Sequence, residues 1–583
     1  MTQAPNSTAR FAVGVDLGTT NTAIACAALD GREMPAPFAL EQVVAAGEHA
    51  ARPLLPSFLY LPADVELPAG ALAVPWEKDP RSCVGLFARE RAASVPGRVV
   101  SSAKSWLCHA GVDRRAPLLP AGAPDDLAKL SPVEVSARIL AHLVHAWDQA
   151  HPDAPLAAQD VVLTVPASFD AVARALTEEA ARSVGLERLT LLEEPQAALY
   201  AWVATQGDAW RKQTKVGDLI LVVDLGGGTT DFSLIEVKDE GGTLALHRVA
   251  VGEHILLGGD NMDLALAHRL KAKLEADGRE LDDWQLRALM HSCRAAKEEL
   301  LENDRKQKMP VAVPGRGSKL VGGTLRTELT RDELNETLLE GFFPEVPASA
   351  RPQQAKKAGL MTLGLPYAHD AGITRHLAAF LDGRRPTKLL FNGGVTKSPL
   401  LRERIAGIVK GWLKGALDVI EAPDLDLAVA VGAAYYGRAR AGTGVRIKGG
   451  ASRAYYVGIE RSELAVPGVP PRVDAVCIAP LGMEEGSEIE LPMELGLVVG
   501  EPATFRFFSS SSRREDVPAA TMDPKKAELA EVAPIEATLQ GPAGALVPVK
   551  LHARVTEVGT LELSAVESAT HKRHKLEFNI RVE

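Results

Sequence analysis

The sequence contains little that marks secreted, membrane-spanning or zinc-binding proteins. Its 583 residues include five cysteines, and none of them forms a Cys-x-x-Cys pair. Neither a disulfide framework nor a zinc site is therefore expected. The amino terminus lacks a basic stretch followed by an apolar core, so no secretory signal peptide is predicted. The longest apolar runs, 220–223 and 427–436, are too short to span a bilayer.

An excess of positive charge is also missing. The formal net charge is −10 at pH 7, which argues against nucleic acid as the main partner. With 46% hydrophobic and 24% charged residues, the chain has the composition of an ordinary globular protein. Its length predicts two or more domains. We expect a cytoplasmic protein with neither a nucleic acid nor a membrane as its partner.

One motif occurs twice in the chain. Residues 13–22 read VGVDLGTTNT, and residues 221–231 read LVVDLGGGTTD. Each copy predicts a β-hairpin whose glycine turn lets the backbone approach a ligand closely. Amides and hydroxyls at such a turn suit phosphate oxygens, and the preceding Asp suits a hydrated Mg²⁺. One copy alone is common in structural hairpins, but two copies predict a duplicated domain with a nucleotide between its halves.

Four other segments carry polar or small residues that have both a structural and a functional interpretation. Lys104 is either a solvated lysine or a phosphate ligand. Glu193 and Glu194 precede Pro195 and either favour a helix dipole or orient a water molecule. Residues 392–399, NGGVTKSP, follow a strand and open a helix, a junction that can hold a nucleoside. Residues 426–434, DLAVAVGAA, predict a helix whose small side chains let a second helix cross closely.

Hydrophobic periodicity divides the chain into three parts. Residues 11–440 alternate strand-like and helix-like segments, which favours α/β layers. Within this part, residues 330–333 predict a capping box, and Ser398 is a predicted N-cap before Pro399. Glycine-rich residues 441–452 predict a linker. Residues 453–583 show period-two alternation, which predicts a β-rich domain whose last strand ends the chain.

Together these motifs resemble the DnaK-type heat-shock-70 chaperones of the actin/hexokinase ATPase superfamily. Residues 161–167 with Arg174, and residues 258–263, resemble further segments of that family, and the resemblance covers residues 11–440. It implies an α/β fold: a duplicated actin-like ATPase with two lobes and four subdomains, followed by a β-sandwich. The sequence has no Walker-type phosphate loop, so the two hairpins would hold the phosphates.

The resemblance also implies a role for each matching residue. Lys104, Glu194, Asp224, Thr229 and Asp16 would be catalytic, with Lys104 neutralising phosphoryl charge and Glu194 orienting the attacking water. ATP or ADP would contact Gly18, Thr19, Thr20, Asn21, Gly226, Gly227, Gly228, Thr229, Lys297, Gly393, Gly394, Lys397 and Asp426. Asp16 and Asp224 would hold Mg²⁺ through water, and Asp231 would lie near a K⁺ ion. Pro166 and Arg174 match positions that relay the nucleotide state.

The sequence departs from the family at the adenosine pocket and the linker. The family's Glu, Lys, Arg and Ser along one helix are here Arg294, Lys297, Glu298 and Leu301. Lys397 replaces an Arg that stacks on adenine, and the two are not equivalent in stacking. Residues 444–449 are basic where the family linker is acidic and rich in leucine. No helical lid is expected after the last strand.

These features predict an ATP-dependent chaperone with slow ATP hydrolysis and a role in protein folding. Residues 456–460 and 547–565 resemble strands of the family's peptide-binding domain, so the predicted ligand is an unfolded or extended polypeptide. A J-domain co-chaperone and a nucleotide exchange factor are the implied partners. An ATP-gated scaffold or regulatory adaptor for one folded partner is the alternative. A small-molecule kinase of the same superfamily is a second alternative.

Overall fold

A computed structural model describes residues 9–578 with several gaps. The gaps are residues 32, 110, 241–242, 253–254, 316–323, 354–367, 414, 422–423, 443–452, 462–463, 465–470, 484–486, 511, 514, 539–540 and 556–560. The predicted linker therefore lies outside the described residues from position 443 onward. Residues 579–583 of the predicted last strand lie outside them as well.

The strands, numbered along the chain, fall into two groups. Those before residue 441 are β1 (Phe11–Leu17), β2 (Asn21–Ala28), β3 (Ala36–Phe38), β4 (Leu40–Ala45), β5 (Glu48–Arg52), β6 (Leu55–Pro56), β7 (Leu59–Tyr60), β8 (Cys83–Val84), β9 (Val99–Val100), β10 (Asp160–Val165), β11 (Leu189–Glu193), β12 (Leu219–Leu225), β13 (Thr230–Glu240), β14 (Thr243–Val251), β15 (Lys308–Val313), β16 (Leu325–Thr330), β17 (Lys388–Asn392) and β18 (Asp418–Ile420). Those after it are β19 (Ala454–Glu460), β20 (Val473–Ala479), β21 (Glu488–Val499), β22 (Pro502–Ser510), β23 (Thr521–Met522), β24 (Ala530–Thr538), β25 (Ala545–Val555), β26 (Leu561–Glu567) and β27 (Arg573–Phe578).

All described helices precede residue 441. The α-helices are α1 (Leu86–Ala92), α2 (Ala103–Trp106), α3 (Pro132–Ala150), α4 (Ala171–Arg182), α5 (Glu194–Gln206), α6 (Trp210–Gln213), α7 (Gly259–Ala276), α8 (Asp283–Glu302), α9 (Arg331–Asn335), α10 (Ile373–Leu381), α11 (Pro399–Leu413) and α12 (Ala428–Arg440). Short 3₁₀ turns span Pro96–Arg98, Leu156–Ala158, Gly207–Ala209 and Gly394–Lys397, and Glu336–Phe342 is a π-helix. Among the described residues, no helix is long and apolar enough to cross a membrane.

Two central sheets share one topology. The first has the strand order β11-β10-β1-β2-β3, and the second has the order β18-β17-β12-β13-β14. In each sheet an antiparallel hairpin, β1–β2 or β12–β13, has two parallel strands beside its first strand. The two predicted hairpins are confirmed, and the repeat in the sequence corresponds to a repeat of the topology.

Helices α5 and α12 lie between the two sheets. A single apolar cluster contains residues of both helices together with Val162 of the first sheet and Val222 of the second. A side chain at Gly432 of α12 would collide with the backbone oxygen of Ala197 in α5. The small residues of segment 426–434 therefore serve the close helix crossing that their composition predicts.

The described strands after residue 452 form one hydrogen-bonded series, in the order β21-β25-β26-β27-β24-β22-β19-β20-β23. Strands far apart in this series, including β21 and β20, share one apolar cluster, which also includes Ala171 of α4. The predicted β-rich character of this part is confirmed for its described residues. Its apolar core reaches the part of the chain before residue 441 through α4.

The two predicted helix caps have different outcomes. Thr330 and Glu333 form the reciprocal capping box at the start of α9. Ser398 occupies the predicted N-cap position directly before Pro399, and its backbone oxygen accepts a hydrogen bond from the Arg402 amide over 3.1 Å. Its side chain does not cap the first turn, because the buried Oγ has no hydrogen-bond partner among the described residues. The position is therefore confirmed, and the side-chain hydrogen bond typical of a serine cap is missing.

We expect Gly432→Ala to destabilise the protein, because overpacking against the α5 backbone costs about 1–3 kcal/mol. Gly407 in α11 is the matched control, since a side chain there would meet no atom within 4 Å. Gly407→Ala should stabilise its helix by about 0.5–1 kcal/mol. Thermal unfolding followed by circular dichroism measures both effects, and an unchanged melting temperature for Gly432→Ala would contradict the close packing.

Candidate functional site

A cavity of about 820 Å³ lies where the two hairpins meet, and its volume is that of a typical cofactor site. Most residues with a predicted role line it: Asp16, Gly18, Thr19, Thr20, Asn21, Lys104, Glu194, Asp224, Gly226, Gly227, Thr229, Lys297, Gly393, Gly394, Lys397 and Asp426. Gly228 and Asp231 lie beside the cavity without lining it. The fold thus gathers residues more than four hundred positions apart.

The two glycine turns touch each other across the cavity floor. A side chain at Gly227 would collide with Thr20 Oγ1, and a Cβ at Gly228 would lie 2.7 Å from Ser105 Oγ. A hydrogen bond of 2.9 Å from the Gly226 amide to the Thr229 oxygen closes the second turn. Glycine is needed here because any larger residue would push the two turns apart.

Buried charges surround the turns. Lys104 is 6% exposed and forms an ion pair with Glu194. Burial lowers the pKa of Lys104, but the charges of Glu194 and Asp16 outweigh burial and raise it. Burial and then repulsion from Glu194 raise the pKa of Asp16 to about 7. The same two causes raise the pKa of Asp224 well above its ordinary value.

Neutral donors contact the three aspartates, and sequence reasoning assigned none of them a role. Thr164 Oγ1 donates to Asp16 Oδ1 over 3.2 Å, and Asn392 Nδ2 donates to Asp224 Oδ2 over 2.9 Å. The hydroxyl of Ser168 donates to Asp231, whose pKa burial raises to about 6. Thr164 and Asn392 stand near the carboxyl ends of strands that run parallel to β1 and β12. A polar residue at that position was the available signal, since ligands bind at the carboxyl ends of parallel strands.

Helix α8 supplies the far wall of the cavity, where the family's adenosine pocket would lie. Arg294 Nε donates to Asp263 Oδ2 over 2.8 Å, and the Arg294 guanidinium also pairs with Asp260. Lys297 Nζ lies 2.6 Å from Asp263 Oδ1 and donates to the Gly259 oxygen over 3.2 Å. Both cations are therefore already bound to protein groups.

On the opposite wall, Lys397 Nζ forms an ion pair of 2.5 Å with Asp426 Oδ2. Glu298, Leu301 and Val395 also line the cavity. The departures seen in the sequence thus converge on one end of the cavity. That end combines two apolar side chains with an internal ion pair.

The two predicted relay residues lie on a path that leads away from the cavity. Pro166 lines it, and Arg174 donates to Glu193 Oε1 over 2.8 Å. The guanidinium of Arg248 pairs with the other oxygen of Glu193. Burial raises the pKa of Tyr455 in β19, and the charge of Arg174 partly opposes this rise, so Arg174 lies close to the carboxy-terminal sheet.

Comparison with known proteins agrees with this architecture. A family model described as Hsp70 protein matches residues 76–352. The chain is 31% identical to a chaperone protein HscA homolog of Pseudomonas putida over 442 residues, which cover 73% of this chain and 57% of the relative. It is 33% identical to a homolog of Burkholderia lata over 312 residues (52% and 43%), and 30% identical to HscA of Shigella boydii over 410 residues (68% and 54%).

The site and the comparisons define a protein of mixed α/β structure with two topologically equivalent sheets around a cleft. The comparisons support an Hsp70-type family member. It spans about half the length of the curated relatives that it matches.

We expect Asp16→Asn to stabilise the nucleotide-free protein. A carboxyl whose pKa rises from 3.8 to about 7 on folding makes the folded state progressively less stable as pH rises through that window. The free energy of unfolding of Asp16→Asn should therefore exceed that of the unmodified chain above about pH 3.8, and the difference should stop growing above about pH 7. Thermal unfolding across this pH range measures it, with exposed Asp64→Asn as the control. Equal pH profiles for Asp16→Asn and the unmodified chain would contradict the assigned burial.

We expect the altered residues of both walls to weaken discrimination between ATP and GTP. Each buried hydrogen bond that the base fails to make should cost about 0.5–1.5 kcal/mol of binding free energy. Lys397→Arg should improve the binding of ATP and of GTP to a similar extent, because a planar guanidinium stacks on either purine and an ammonium does not. Calorimetric titration measures both, with Lys410→Arg on exposed α11 surface as the control. Strong adenine selectivity in the unmodified chain would show that other residues recognise the base.

Proposed function

We propose that the protein is an ATP-dependent chaperone that hydrolyses ATP in the cleft and binds polypeptide segments through its carboxy-terminal strands. The observation that carries this proposal is the convergence of both glycine turns, Lys104 and Glu194 on one cavity. An actin-like ATPase core with two lobes and four subdomains accounts for the repeated sheet topology.

Each charged group of the cavity then has a task. The turn amides and hydroxyls bind the phosphates from two sides. Lys104 lies where it neutralises charge that develops on the transferred phosphoryl group. Glu194 holds the Lys104 ammonium in place and would orient the attacking water.

The carboxylates suit a hydrated Mg²⁺. Among the described residues, no group of three His, Cys, Asp or Glu side chains could hold a metal ion directly. Mg²⁺ commonly binds one or two carboxylates together with water and substrate phosphates, and Asp16 and Asp224 provide such a pair. Their raised pKa values show that neither is fully compensated by protein groups. Mg²⁺ would supply charge neutralisation for the phosphates, and Asp231 is proposed to lie near a K⁺ ion.

Binding of polypeptide is supported by the carboxy-terminal strands and by the names of the relatives, which are chaperone proteins. The packing of Ala171 against this part gives nucleotide state a route to it. An extended or unfolded polypeptide is the proposed ligand. A J-domain co-chaperone and a nucleotide exchange factor are proposed on family grounds. No observation favours the adaptor or the small-molecule kinase.

Turnover of ATP by the full chain, with and without an unfolded polypeptide, tests this function. We expect slow phosphate release that the polypeptide accelerates. Lys104→Ala should lower turnover about 10²- to 10³-fold, the loss typical of one preorganised electrostatic donor, while ADP still binds. The control is Lys410→Ala, since Lys410 is exposed on α11. Phosphate release that is equal in Lys104→Ala and the unmodified chain would remove Lys104 from the site, and a phosphorylated small-molecule acceptor would indicate a kinase.

A further inference from the structure

Asn392 is a buried polar residue at the cavity that has no role in the proposed hydrolysis. It is the last residue of β17 and pairs in register with Asp224 on the parallel strand β12. The residue is 2% exposed and lines the cavity. Neighbours in register place their side chains on the same face of a sheet, so Asn392 and Asp224 both face the cleft.

The hydrogen bond to Asp224 fixes the orientation of the Asn392 amide. Beside a bound divalent cation Asp224 would be ionised and could only accept hydrogen bonds, so the Asn392 amide would keep its Nδ2 donor toward Asp224. The 2.9 Å bond from Nδ2 to Asp224 Oδ2 has this arrangement. Asn392 Oδ1 then points away from Asp224. It is buried and has no hydrogen-bond partner among the described residues.

The backbone around Asn392 is held firmly as well. Thr396 Oγ1 donates to the backbone oxygen of Asn392 over 3.0 Å and to the backbone oxygen of Gly393 over 2.8 Å. Thr396 is fully buried. Rotation of the Asn392 side-chain amide to satisfy its free oxygen would break the hydrogen bond from Nδ2 to Asp224. A buried acceptor without a donor is unfavourable, so this oxygen requires a donor that enters the cavity.

A water molecule bound to a divalent cation is such a donor, since the cation directs the water's hydrogens outward. We propose that Asn392 is a positioning residue for the divalent cation that accompanies the nucleotide. Its Nδ2 holds one oxygen of Asp224, and its Oδ1 accepts a hydrogen bond from a cation-bound water. This inference rests on the proposed nucleotide-binding function and assigns to Asn392 the orienting contact that ligating carboxylates usually need.

Calorimetric titration of the full chain with ADP, in Mg²⁺ and separately in EDTA, tests the proposal. Asn392→Leu removes both polar atoms with little change of volume. It should reduce the Mg²⁺-dependent gain in ADP affinity roughly 10- to 100-fold, the usual loss for an outer-shell metal contact. Its affinity for ADP in EDTA should stay close to that of the unmodified chain. Asn335→Leu is the matched control, since Asn335 also has an unpartnered oxygen but does not line the cavity.

Asn392→Asp is the second variant and keeps the test valid if Asn392→Leu fails to fold. Its added carboxylate should weaken ADP binding in EDTA by repulsion and enlarge the gain from Mg²⁺. A Mg²⁺-dependent gain in ADP affinity equal to that of the unmodified chain in either folded variant overturns the proposal.

The hydroxyls of ribose are another possible donor to Asn392 Oδ1. If 2′-deoxy-ADP or 3′-deoxy-ADP loses affinity in the unmodified chain but not in Asn392→Leu, also in EDTA, Oδ1 contacts the nucleoside and the proposal is wrong. If the unmodified chain binds no ADP in either condition, the proposed function itself fails.

Discussion

The close approach of α5 to α12 determines how the two halves of the cleft meet. Gly432 has no side chain, so the backbone of α12 can lie against the backbone of α5 at Ala197. Each helix follows the last parallel strand of its own sheet, β11 or β18. Drawing the two helices together therefore draws together the carboxyl ends of the two sheets. The glycine turns of both hairpins then come into contact at Gly227 and Thr20.

This geometry has an electrostatic cost. The same approach that joins the turns removes Asp16, Asp224 and Asp231 from water, and burial raises the pKa of each. Lys104 offsets part of this charge, but it is also paired with Glu194. Neutral donors such as Thr164 and Asn392 complete the arrangement. Buried carboxyl groups whose pKa values are raised in this way are typical of functional clefts.

Two consecutive glutamates connect the cleft with the rest of the protein. Glu194 pairs with Lys104 inside the cleft, whereas Glu193 pairs with Arg174 and Arg248 on the side of α4. Helix α4 in turn packs through Ala171 into the apolar core of the carboxy-terminal strands. A shift of the first turn of α5 would move both ion-pair systems together. These adjacent contacts give a physical route by which the cleft could be coupled to the carboxy-terminal strands. The strength of such coupling is a free energy that is measured between the two sites.

Local sequence was sufficient for the elements whose cause is local. The two hairpins follow from strand, Asp and glycine patterns within about ten residues, and the Thr330 capping box follows from a four-residue motif. The small residues of α12 predicted a close crossing, although the sequence did not identify α5 as the partner. The resemblance to a known family selected the candidate site residues, and most of them line one cavity in the structure.

Tertiary structure alone decided the contacts between distant residues. Thr164 and Asp16 are 148 positions apart, and Asn392 and Asp224 are 168 apart, so no local pattern could pair them. The ion pairs of Lys397 with Asp426 and of Arg294 with Asp260 likewise depend on which walls the fold brings together. Ser398 takes the N-cap position that the local sequence predicted, but its buried hydroxyl makes no hydrogen bond to the first turn. The sequence by itself determined which charged and polar side chains the protein has. The packing of helices and sheets determined which of these side chains contact each other, since contacts depend on distance in space and not on distance along the chain.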